Sequence, residues 1–385
     1  MKTVFPTDAF RQLPTPFYYY DTDLLRATLQ AIKEEASKHT GFCVHYAVKA
    51  NANPRILNII GQAGFGADCV SGGEILAALR AGIPARRIVY AGVGKSDWEI
   101  NLGLDKRIFC FNVESIAELE VINELAAHKE QTAHVALRIN PDVKAHTHAK
   151  ITTGLAENKF GIALCDMHKA IEAAVTMPHI SLEGLHFHIG SQILNMDDFA
   201  ALCNRINDLQ SQLEKHKVKI SHINVGGGLG IEYHYPDRMP IPDFKSYFDT
   251  YARHLALREG QTLHFELGRS VVAQCGSLIT RVLYVKQGVA KQFAIVDGSM
   301  TELIRPALYQ AYHKIENLHE DGDWETYDVV GPVCESSDVF AKAVDLHHVK
   351  RGDLLAIRSA GAYGEAMASC YNCRKLPPSY LPEDL

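Results

Sequence analysis

The stretch Phe65-Gly-Ala-Asp-Cys-Val-Ser-Gly-Gly-Glu-Ile-Leu-Ala-Ala-Leu-Arg80 decides the fold, because it holds one complete strand-to-helix repeat. Its first six residues, Phe65–Val70, are apolar enough to form a short buried strand. Ser71-Gly-Gly-Glu74 then has the spacing of a helix-capping box, and Ile75–Arg80 continues as a helix. The segment therefore predicts a strand, a capped helix start and a helix in succession.

The same alternation extends in both directions from this repeat. Ser96 and Ser115 each precede a glutamate by three residues, and Pro54 stands where a helix start needs no N–H, so three more helix starts are predicted. The predicted strands are Val44–Val48, Phe65–Val70, Ile88–Ala91, Phe109–Phe111, Ala133–Ile139, Leu182–Ile189, His222–Val225 and Thr262–Glu266. Eight βα repeats in roughly 220 residues favour an α/β protein with a TIM-type (β/α)8 barrel. An open doubly wound sheet is the alternative.

The pattern changes after Ser270, where strand-like segments follow one another with few helices between them. These segments are Val271–Gln287, Gln292–Val296, Tyr327–Val330 and Leu354–Arg358. We therefore predict a barrel of residues 24–270 and a C-terminal β-rich domain, a sandwich or barrel, of residues 271–385. Residues 1–23, with a short aromatic strand at Phe17–Tyr20, are assigned to the β-rich domain.

The composition excludes several classes of protein. The chain has 385 residues, 47% of them hydrophobic, and a net charge of -6, which argues against a disordered chain and against an overall nucleic-acid-binding surface. No apolar run approaches about 20 residues and the N-terminus has no apolar signal region, so neither a membrane span nor secretion is predicted. Nine cysteines without regular pairing are typical of reduced thiols in a cytoplasmic protein. The 19 histidines raise the question of metal or other chemistry.

Polar residues stand at the predicted strand ends, where TIM-type barrels carry their working groups. Lys49 ends the first strand, Asp68 lies near the end of the second, and Glu266 ends the eighth. A lysine in that place can simply extend its ammonium to water, or it can be an amine that forms a Schiff base with a carbonyl compound. Glu266 with Arg269 can be a surface ion pair, or a carboxylate that keeps a pyridine nitrogen protonated.

Glycines and histidines occupy two further strand ends. The triple glycine Gly226–Gly228 can be a turn, or a backbone that approaches a phosphate closely, and Ser191 can add a hydroxyl. His186 and His188 lie two residues apart on the predicted sixth strand and so face the same side, where an imidazole can stack on an aromatic cofactor. A core histidine and a zinc ligand are the other two interpretations, but no third ligand spacing supports zinc. Together, the lysine, the phosphate loop, the stacking ring and the carboxylate describe a pyridoxal 5'-phosphate site.

Motifs along nearly the whole chain, from about Pro16 to Arg374, resemble those of the diaminopimelate decarboxylases, which belong to the alanine-racemase-like, fold type III class of pyridoxal-phosphate enzymes. The matching segments are Tyr46-Ala-Val-Lys-Ala-Asn51, Ser71-Gly-Gly-Glu74, Asn158-Lys-Phe-Gly-Ile162, His186-Phe-His-Ile-Gly-Ser-Gln192, Asn224-Val-Gly-Gly-Gly-Leu-Gly230, Gly331-Pro-Val-Cys-Glu-Ser336, Asp338-Val-Phe340 and Asp353 through Gly364. The Cys-Glu-Ser and Gly361-Ala-Tyr-Gly364 motifs are specific, whereas the triple glycine alone is not.

The resemblance implies roles toward the cofactor and toward the substrate. Lys49 is implied to hold the cofactor covalently, with His188 stacked on its ring and Glu266 at the pyridine nitrogen. The further cofactor-binding residues implied are Asp68, Ser191, Gly227, Gly228, Gly268, Arg269 and Tyr363. The implied substrate-binding residues are Arg269, Arg305, Tyr309 and Tyr363, with Glu335 at the distal ammonium.

The resemblance also implies that Cys334 is the proton donor that follows loss of carbon dioxide. In this family Cys334 and Glu335 enter the site of a partner subunit, so a homodimer is the implied active unit. The implied reaction is the decarboxylation of meso-2,6-diaminopimelate to L-lysine and carbon dioxide, the last step of lysine biosynthesis. Two arginines suit a distal carboxylate, which ornithine lacks, so they favour diaminopimelate over ornithine or lysine.

Three alternatives stay open at this point. A decarboxylase of ornithine, lysine, arginine or carboxynorspermidine would share Lys49, His188 and Glu266. A decarboxylase-like protein that binds without catalysis is opposed by the presence of both Lys49 and Cys334. A racemase needs two bases, which the Cys-Glu-Ser motif does not suggest.

The sequence departs from the family pattern in three places. Leu267 stands where proline is usual, which bears on the shape of the turn after Glu266 and not on its two charged ends. Arg305 is followed by a proline, Pro306, where a small polar residue is commoner. Cys370-Tyr-Asn-Cys373 replaces a typical Asn-Tyr-Asn-Ser, and this pair is interpreted as a varied tail of the site loop ahead of a redox or metal pair.

Overall fold

The computed structural model describes residues 4–143, 159–215, 217–319 and 322–385, and its chain separates into two compact units. We call Leu29–Gly230 with Asp243–Gly268 the barrel unit. We call Met1–Thr28, Ile231–Pro242 and Arg269–Leu385 the sheet unit. The short segment Ile231–Pro242 thus belongs to the sheet unit although barrel segments flank it in the sequence.

The N-terminal elements are a helical turn, a strand and a long helix. They are α1 (Thr7–Phe10), β1 (Phe17–Tyr20) and α2 (Thr22–Ser37). All four residues of β1 are buried. This strand pairs antiparallel with residues 276–279 and parallel with residues 379–380 of the sheet unit.

Eight parallel strands close into a barrel in the order of the chain. They are β2 (Phe42–Ala47), β3 (Gly66–Cys69), β4 (Ile88–Tyr90), β5 (Cys110–Val113), β6 (Ala133–Arg138), β7 (Ile180–His186), β8 (His222–Asn224) and β9 (Thr262–Leu267). The barrel closes where β9 pairs with β2, with His45 opposite Glu266. The predicted TIM-type barrel is therefore confirmed, and the open sheet is wrong.

Helices alternate with these strands and begin where the sequence predicts. They are α3 (Pro54–Gln62), α4 (Gly72–Arg80), α5 (Asp97–Lys106), α6 (Ile116–His128), α7 (Met167–Thr176), α8 (Met196–Lys215) and α9 (Phe244–His254). The hydroxyls of Ser71 and Ser115 accept hydrogen bonds from the backbone N–H three residues later, at 3.2 and 3.1 Å. Among the helices of the described ranges, none is both long and apolar enough to cross a membrane.

The alternation of side chains along β9 explains how the barrel is filled. Phe265 packs against α9, with ring centroids 5.0 Å from Phe248. His264, on the opposite face, lies 2.8 Å from the His45 imidazole, from Nδ1 to Nε2, and 4.9 Å from the His222 ring. Burial lowers the pKa of all three histidines, so they are neutral packing groups in the barrel.

The remaining elements are short helices and the strands of a mostly antiparallel sheet. They are α10 (Arg269–Val272), β10 (Gly276–Gln287), β11 (Gln292–Val296), α11 (Arg305–Tyr309), β12 (Ile315–Asn317), β13 (Trp324–Val330), β14 (Val339–His347), β15 (Leu354–Ile357) and β16 (Ser379–Tyr380). The strands follow the order β12-β15-β10-β11-β13-β14, and β1 and β16 extend the sheet beside β10. The predicted β-rich region is confirmed.

Two local predictions in the sheet unit differ from the structure. The prediction of a strand from Val271 is wrong at its start, because the Ala273 N–H donates to the Arg269 carbonyl and closes a helical turn. β14 was not predicted, because exposed polar residues such as Lys342 and Asp345 interrupt its apolar pattern. At Val271 a local helical hydrogen bond decides the conformation, whereas β14 is decided by its pairing with β13.

Candidate active site

Lys49 and Asp68 lie together at the carboxyl ends of β2 and β3. β2 ends at Ala47, so the prediction that Lys49 ends the strand is wrong by two residues. Lys49 lies in a 3₁₀ turn over Val48–Ala50, and its side chain is 41% exposed. Its Nζ lies 3.2 Å from Oδ2 of Asp68, whose side chain is fully buried. The other oxygen of Asp68, Oδ1, has no hydrogen-bond partner within the barrel or the rest of the described chain. Burial, reinforced by Glu266, raises the pKa of Asp68, and the Lys49 ammonium partly opposes this rise.

Glu266 is a buried carboxylate held by three hydrogen-bond donors. Nδ2 of Asn112 and Nδ2 of Asn224 donate to its Oε1 at 3.0 and 2.7 Å, and Nε2 of His186 donates to its Oε2 at 3.0 Å. Burial alone would raise the pKa of Glu266, but the His186 imidazole and the Lys49 ammonium outweigh it and hold that pKa well below its usual range. Glu266 therefore stays ionised in the interior.

The interpretation of Glu266 and Arg269 as a surface ion pair is wrong. Both residues are buried, at 7% and 6% exposure. The carboxylate is bonded to Asn112, Asn224 and His186, as described above, and Arg269 belongs to the sheet unit.

His186 and His188 have different environments. β7 ends at His186, and His188 lies in the following loop. The prediction that both histidines lie on one strand and face the same side is therefore wrong for His188. Nδ1 of His188 accepts a hydrogen bond from the Gly227 N–H at 3.3 Å. Burial, and then the Arg138 guanidinium, lower the pKa of His188 well below its usual value. His188 is therefore a neutral imidazole positioned by the glycine loop.

The glycines after β8 fold tightly over the strand ends. The backbone at Gly226 and Gly228 has φ of 67° and 110°, a region that side chains disfavour. A Cβ on Gly227 would lie 2.0 Å from the carbonyl oxygen of Glu266. The Gly228 carbonyl accepts from the N–H of Ile193, so this loop lies beside the one that carries Ser191. The arrangement leaves backbone without side chains at the rim, as a phosphate-binding loop requires.

These residues fit the cofactor that the sequence implies. A primary amine, an ionised buried carboxylate, a neutral imidazole and a side-chain-free loop occur within one unit, and the unpartnered Oδ1 of Asp68 provides a further polar atom. Those are the groups that pyridoxal phosphate uses for its aldehyde, pyridine nitrogen, ring face and phosphate.

Sequence reasoning missed Asn112 and Asn224. Each is the one polar residue in an apolar run, Phe111-Asn-Val113 and Ile223-Asn-Val225, and that interruption of a buried strand was the available signal. It also missed the buried ion pair in which Nη1 of Arg138 lies 2.6 Å from Oε1 of Glu114.

That ion pair orders the loop of a quoted motif. Oε2 of Glu114 accepts from the Gly161 N–H at 2.8 Å, and the Arg138 guanidinium lies 4.8 Å from the centroid of the Phe160 ring. Asn158, the first residue of that motif, lies outside the described residues.

The predicted substrate-binding arginines come together in the sheet unit. Arg269 follows Gly268 at the start of α10, and Arg305 starts α11. The guanidinium carbon of Arg269 lies 5.2 Å from the centroid of the Tyr363 ring, and that of Arg305 lies 6.0 Å from both Tyr363 and Tyr309. Two buried cations among phenol rings have the chemistry to bind an anion.

Cys334 and Glu335 lie in the connection between β13 and β14. The Asp338 carboxylate shapes this connection by accepting from the N–H groups of Val333 and Met300 at 2.8 and 2.7 Å. Both Cys334 and Glu335 are exposed. The sheet unit thus presents the thiol on an ordered loop.

The Cys370-to-Cys373 segment approaches this loop. Oε1 of Glu335 accepts a hydrogen bond from the Tyr371 hydroxyl at 2.8 Å. Cys370 and Cys373, on either side of Tyr371, are both exposed free thiols. The segment thus contacts the loop of Cys334 and Glu335 through Tyr371, and its interpretation as the tail of the site loop stays a prediction.

Comparison with known proteins gives one consistent result. Residues 23–273 match the family described as pyridoxal-dependent decarboxylase, pyridoxal binding domain. The chain is similar to a diaminopimelate decarboxylase of Bacteroides thetaiotaomicron, with 68% identity over all of both chains, and to one of Aquifex aeolicus, with 39% identity over 96% of this chain and 87% of that protein. It is also similar to the crystal structure of the Helicobacter pylori diaminopimelate decarboxylase complexed with L-lysine, with a TM-score of 0.93, 38% identity, and coverage of 98% of this chain and 94% of that one.

Proposed function

The chain belongs to the diaminopimelate decarboxylases, which are pyridoxal-dependent carboxy-lyases, and from that premise we propose how its own residues carry out the reaction. The enzyme converts meso-2,6-diaminopimelate to L-lysine and carbon dioxide, the last step of lysine biosynthesis. The observation that carries the assignment of the chemistry is the ionised, buried Glu266 at the barrel end that also holds Lys49.

The cofactor is pyridoxal 5'-phosphate, and we propose that the barrel unit supplies most of its binding groups. When bound, it provides a protonated pyridine ring that delocalises the electrons left on Cα after carbon dioxide departs. Lys49 would bind it through Nζ, and His188 would lie against its ring. The remaining proposed contacts are Asp68, Ser191, Gly227, Gly228, Glu266, Gly268, Arg269 and Tyr363.

Glu266, His188 and Asp68 each have a defined task in this proposal. Glu266 keeps its negative charge because the His186 imidazole and the Lys49 ammonium outweigh the effect of burial, and that charge favours a proton on a nitrogen placed against it. His188 keeps no charge, so it can lie against an aromatic ring without repelling a cation. Asp68 holds the Lys49 amine in place at 3.2 Å.

We propose that the sheet unit recognises the end of the substrate that does not react. Arg269 and Arg305, with Tyr309 and Tyr363, would bind the distal carboxylate, because paired guanidinium groups suit a carboxylate. Glu335 would bind the distal ammonium. Ornithine has no distal carboxylate and would leave both buried arginines without an anion.

The proton donor and the active assembly form one proposal. Cys334 would return a proton to Cα after carbon dioxide leaves. Because Cys334 and Glu335 are exposed on an ordered loop, they are available to a second copy of the chain. We propose a homodimer in which the β-rich domain, residues 271–385 with 1–23, completes the site of the partner's barrel, residues 24–270. We also propose a cytoplasmic location, which suits the nine free thiols.

A substrate panel tests the function. The purified enzyme, loaded with pyridoxal phosphate, is assayed for carbon dioxide release from meso-diaminopimelate, L-ornithine, L-lysine and L-arginine. We expect turnover of meso-diaminopimelate with equal release of L-lysine. Turnover of L-ornithine or L-lysine at least as fast as that of meso-diaminopimelate would contradict the substrate assignment. Failure to release carbon dioxide from any of them would contradict the enzymatic one.

A further inference from the structure

The phenol oxygen of Tyr233 is shared by the two arginines of the sheet unit. Nη1 of Arg269 donates to it at 2.7 Å, and Nη2 of Arg305 donates to it at 3.4 Å. All three residues are buried, at 9% exposure for Tyr233 and 6% for each arginine. A single neutral oxygen therefore fixes the distance between two buried cations.

Arg305 has a second neutral partner, His313. Nε of Arg305 donates to Nε2 of His313 at 3.3 Å, and Nδ1 of His313 lies 2.9 Å from the carbonyl oxygen of Arg358. A carbonyl can only accept, so Nδ1 carries the proton and Nε2 presents its lone pair. Burial and then the Arg305 charge lower the pKa of His313 to about 3, which keeps the ring neutral near pH 7.

Tyr233 is held by a segment that has no helix or strand of its own. We call residues 232–239 the strap. Nε2 of Gln274 donates to the carbonyl oxygens of Glu232 and Met239 at 3.3 and 2.8 Å, and thereby fixes both ends of the strap. Asp237, within it, accepts from Nη2 of Arg358 at 2.9 Å. The same arginine residue thus anchors both the strap, through its side chain, and His313, through its carbonyl.

Neutral partners leave the positive charge of the arginines available to a ligand. A carboxylate in place of Tyr233 or His313 would neutralise a guanidinium and compete with an incoming anion. A phenol and a neutral imidazole orient the same N–H groups without cancelling their charge.

We propose that Tyr233 and His313 are positioning residues that hold Arg269 and Arg305 as a pair for the carboxylate that the substrate keeps. The inference rests on the proposed function, because it takes the distal carboxylate of diaminopimelate as the ligand. Decarboxylation removes the other carboxylate, so the one held here is the carboxylate of the product, L-lysine. Product binding therefore reports on this site without any turnover.

The variant Tyr233→Phe tests the role of the phenol oxygen, with Tyr235→Phe as its matched control. Tyr235 lies in the same strap, is 54% exposed and stacks on Arg238. We expect Tyr233→Phe to raise the KM for meso-diaminopimelate about tenfold or more, the value of one hydrogen bond to a charged group, while kcat changes less than threefold. Tyr235→Phe should match the wild type.

Binding of L-lysine and of L-lysinamide, which lacks the carboxylate charge, gives the second measurement. By calorimetry on the cofactor-loaded enzyme, we expect the preference of the wild type for L-lysine over L-lysinamide to fall about tenfold in Tyr233→Phe. An unchanged preference, or equal weakening of both ligands, would overturn the inference. Absence of diaminopimelate turnover in the wild type would instead overturn the proposed function, while the binding comparison still tests this site.

His313 is tested by two amides of different length. The amide of glutamine can take the place of Nε2 and supply an acceptor oxygen to Arg305, whereas that of asparagine can take only the place of Nδ1. We expect His313→Gln to keep the KM for meso-diaminopimelate within threefold of wild type and His313→Asn to raise it about tenfold. Equal KM values for the two variants would contradict a positioning role for His313.

Discussion

At the scale of the residue, the site depends on buried polar groups whose charge state is set by their neighbours. Glu266 and His188 are both buried near Lys49, yet the carboxylate stays ionised and the imidazole stays neutral. The His186 imidazole and the Lys49 ammonium produce the first result, and burial, followed by the Arg138 guanidinium, produces the second. The sequence predicts which residue types gather at the strand ends, but the charge states require the distances between them.

Substitution of Glu266 by glutamine should remove the charge with little change of shape. The amide oxygen of the glutamine can still accept from Asn112 and Asn224. Nε2 of His186 can accept from the glutamine N–H if the imidazole proton moves to Nδ1, an atom that has no partner among the described residues. We expect Glu266→Gln to lower kcat on the order of a hundredfold or more, about 3 kcal/mol of barrier, with the cofactor still bound.

The measurement is kcat for meso-diaminopimelate together with cofactor content by absorbance. Glu183→Gln is the control, since Glu183 is a half-buried carboxylate on the same strand as His186 and bonds to His134 and Ser221. A kcat for Glu266→Gln within threefold of wild type would show that its charge has no role in catalysis.

At the scale of the element, strand ends and helix starts are short-range features that the sequence predicts well. The serine caps of α4 and α6 and the proline start of α3 occur at the predicted residues. The hydrogen bond of Glu74 differs in detail from a capping box. Glu74 accepts from the N–H of Val70, one residue before the cap, and not from that of Ser71. The sequence also predicts the glycine loop after β8. The requirement for glycine at position 227 comes from close contact with Glu266, a residue that is distant in the sequence.

Gly227→Ala tests that contact. The added Cβ would lie 2.0 Å from the Glu266 carbonyl oxygen, so the loop must move away from β9. We expect a loss of about 1–3 kcal/mol in the free energy of unfolding and weaker binding of pyridoxal phosphate. Gly94→Ala is the matched control, because a Cβ there meets no atom of the described residues within 4 Å.

Urea unfolding and cofactor titration measure these two effects. If Gly227→Ala and Gly94→Ala bind the cofactor with equal affinity, the proposed phosphate loop is wrong.

At the scale of the whole molecule, several of the 19 histidines serve the fold. His45, His222 and His264 are buried and fill the barrel. Burial lowers the pKa of His222 to about 4, below its usual 6.5. The unfolded chain then binds more protons than the folded one between those values, so this stabilising term is complete above about pH 6.5 and is lost as the pH falls toward 4.

His222→Gln should therefore reduce the acid sensitivity of the protein. Each unit of pKa is worth about 1.4 kcal/mol, so the loss of unfolding free energy from pH 8 to pH 5 should be about 2 kcal/mol smaller in the variant than in wild type. His254→Gln, at the exposed end of α9, is the control. Identical pH dependence in all three proteins, measured by urea unfolding, would disprove the buried neutral state of His222.

The proposed dimer predicts complementation between inactive variants. Lys49→Ala should lose the cofactor-linked absorbance, and Cys334→Ala should turn over slowly with the cofactor bound. A mixed dimer has one site with both Lys49 and the partner's Cys334, so random mixing should restore about one quarter of wild-type activity. Activity that stays at the level of the separate variants after subunit exchange would place Cys334 in the site of its own chain or outside catalysis.

The sequence by itself determined the repeating elements, because hydrophobic period, caps and turn residues act over a few neighbouring positions. It also indicated Lys49 and Glu266, because polar residues at buried strand ends interrupt a local pattern, whereas Arg305 was implied only by the resemblance to the family. Only the tertiary structure decided which groups meet: Asn112 reaches Glu266 across 154 positions, and Tyr233 joins the arginines from a strap that lies between two barrel segments in the sequence. Such pairs are set by barrel closure and by side-chain packing between distant segments, and no local pattern encodes that geometry.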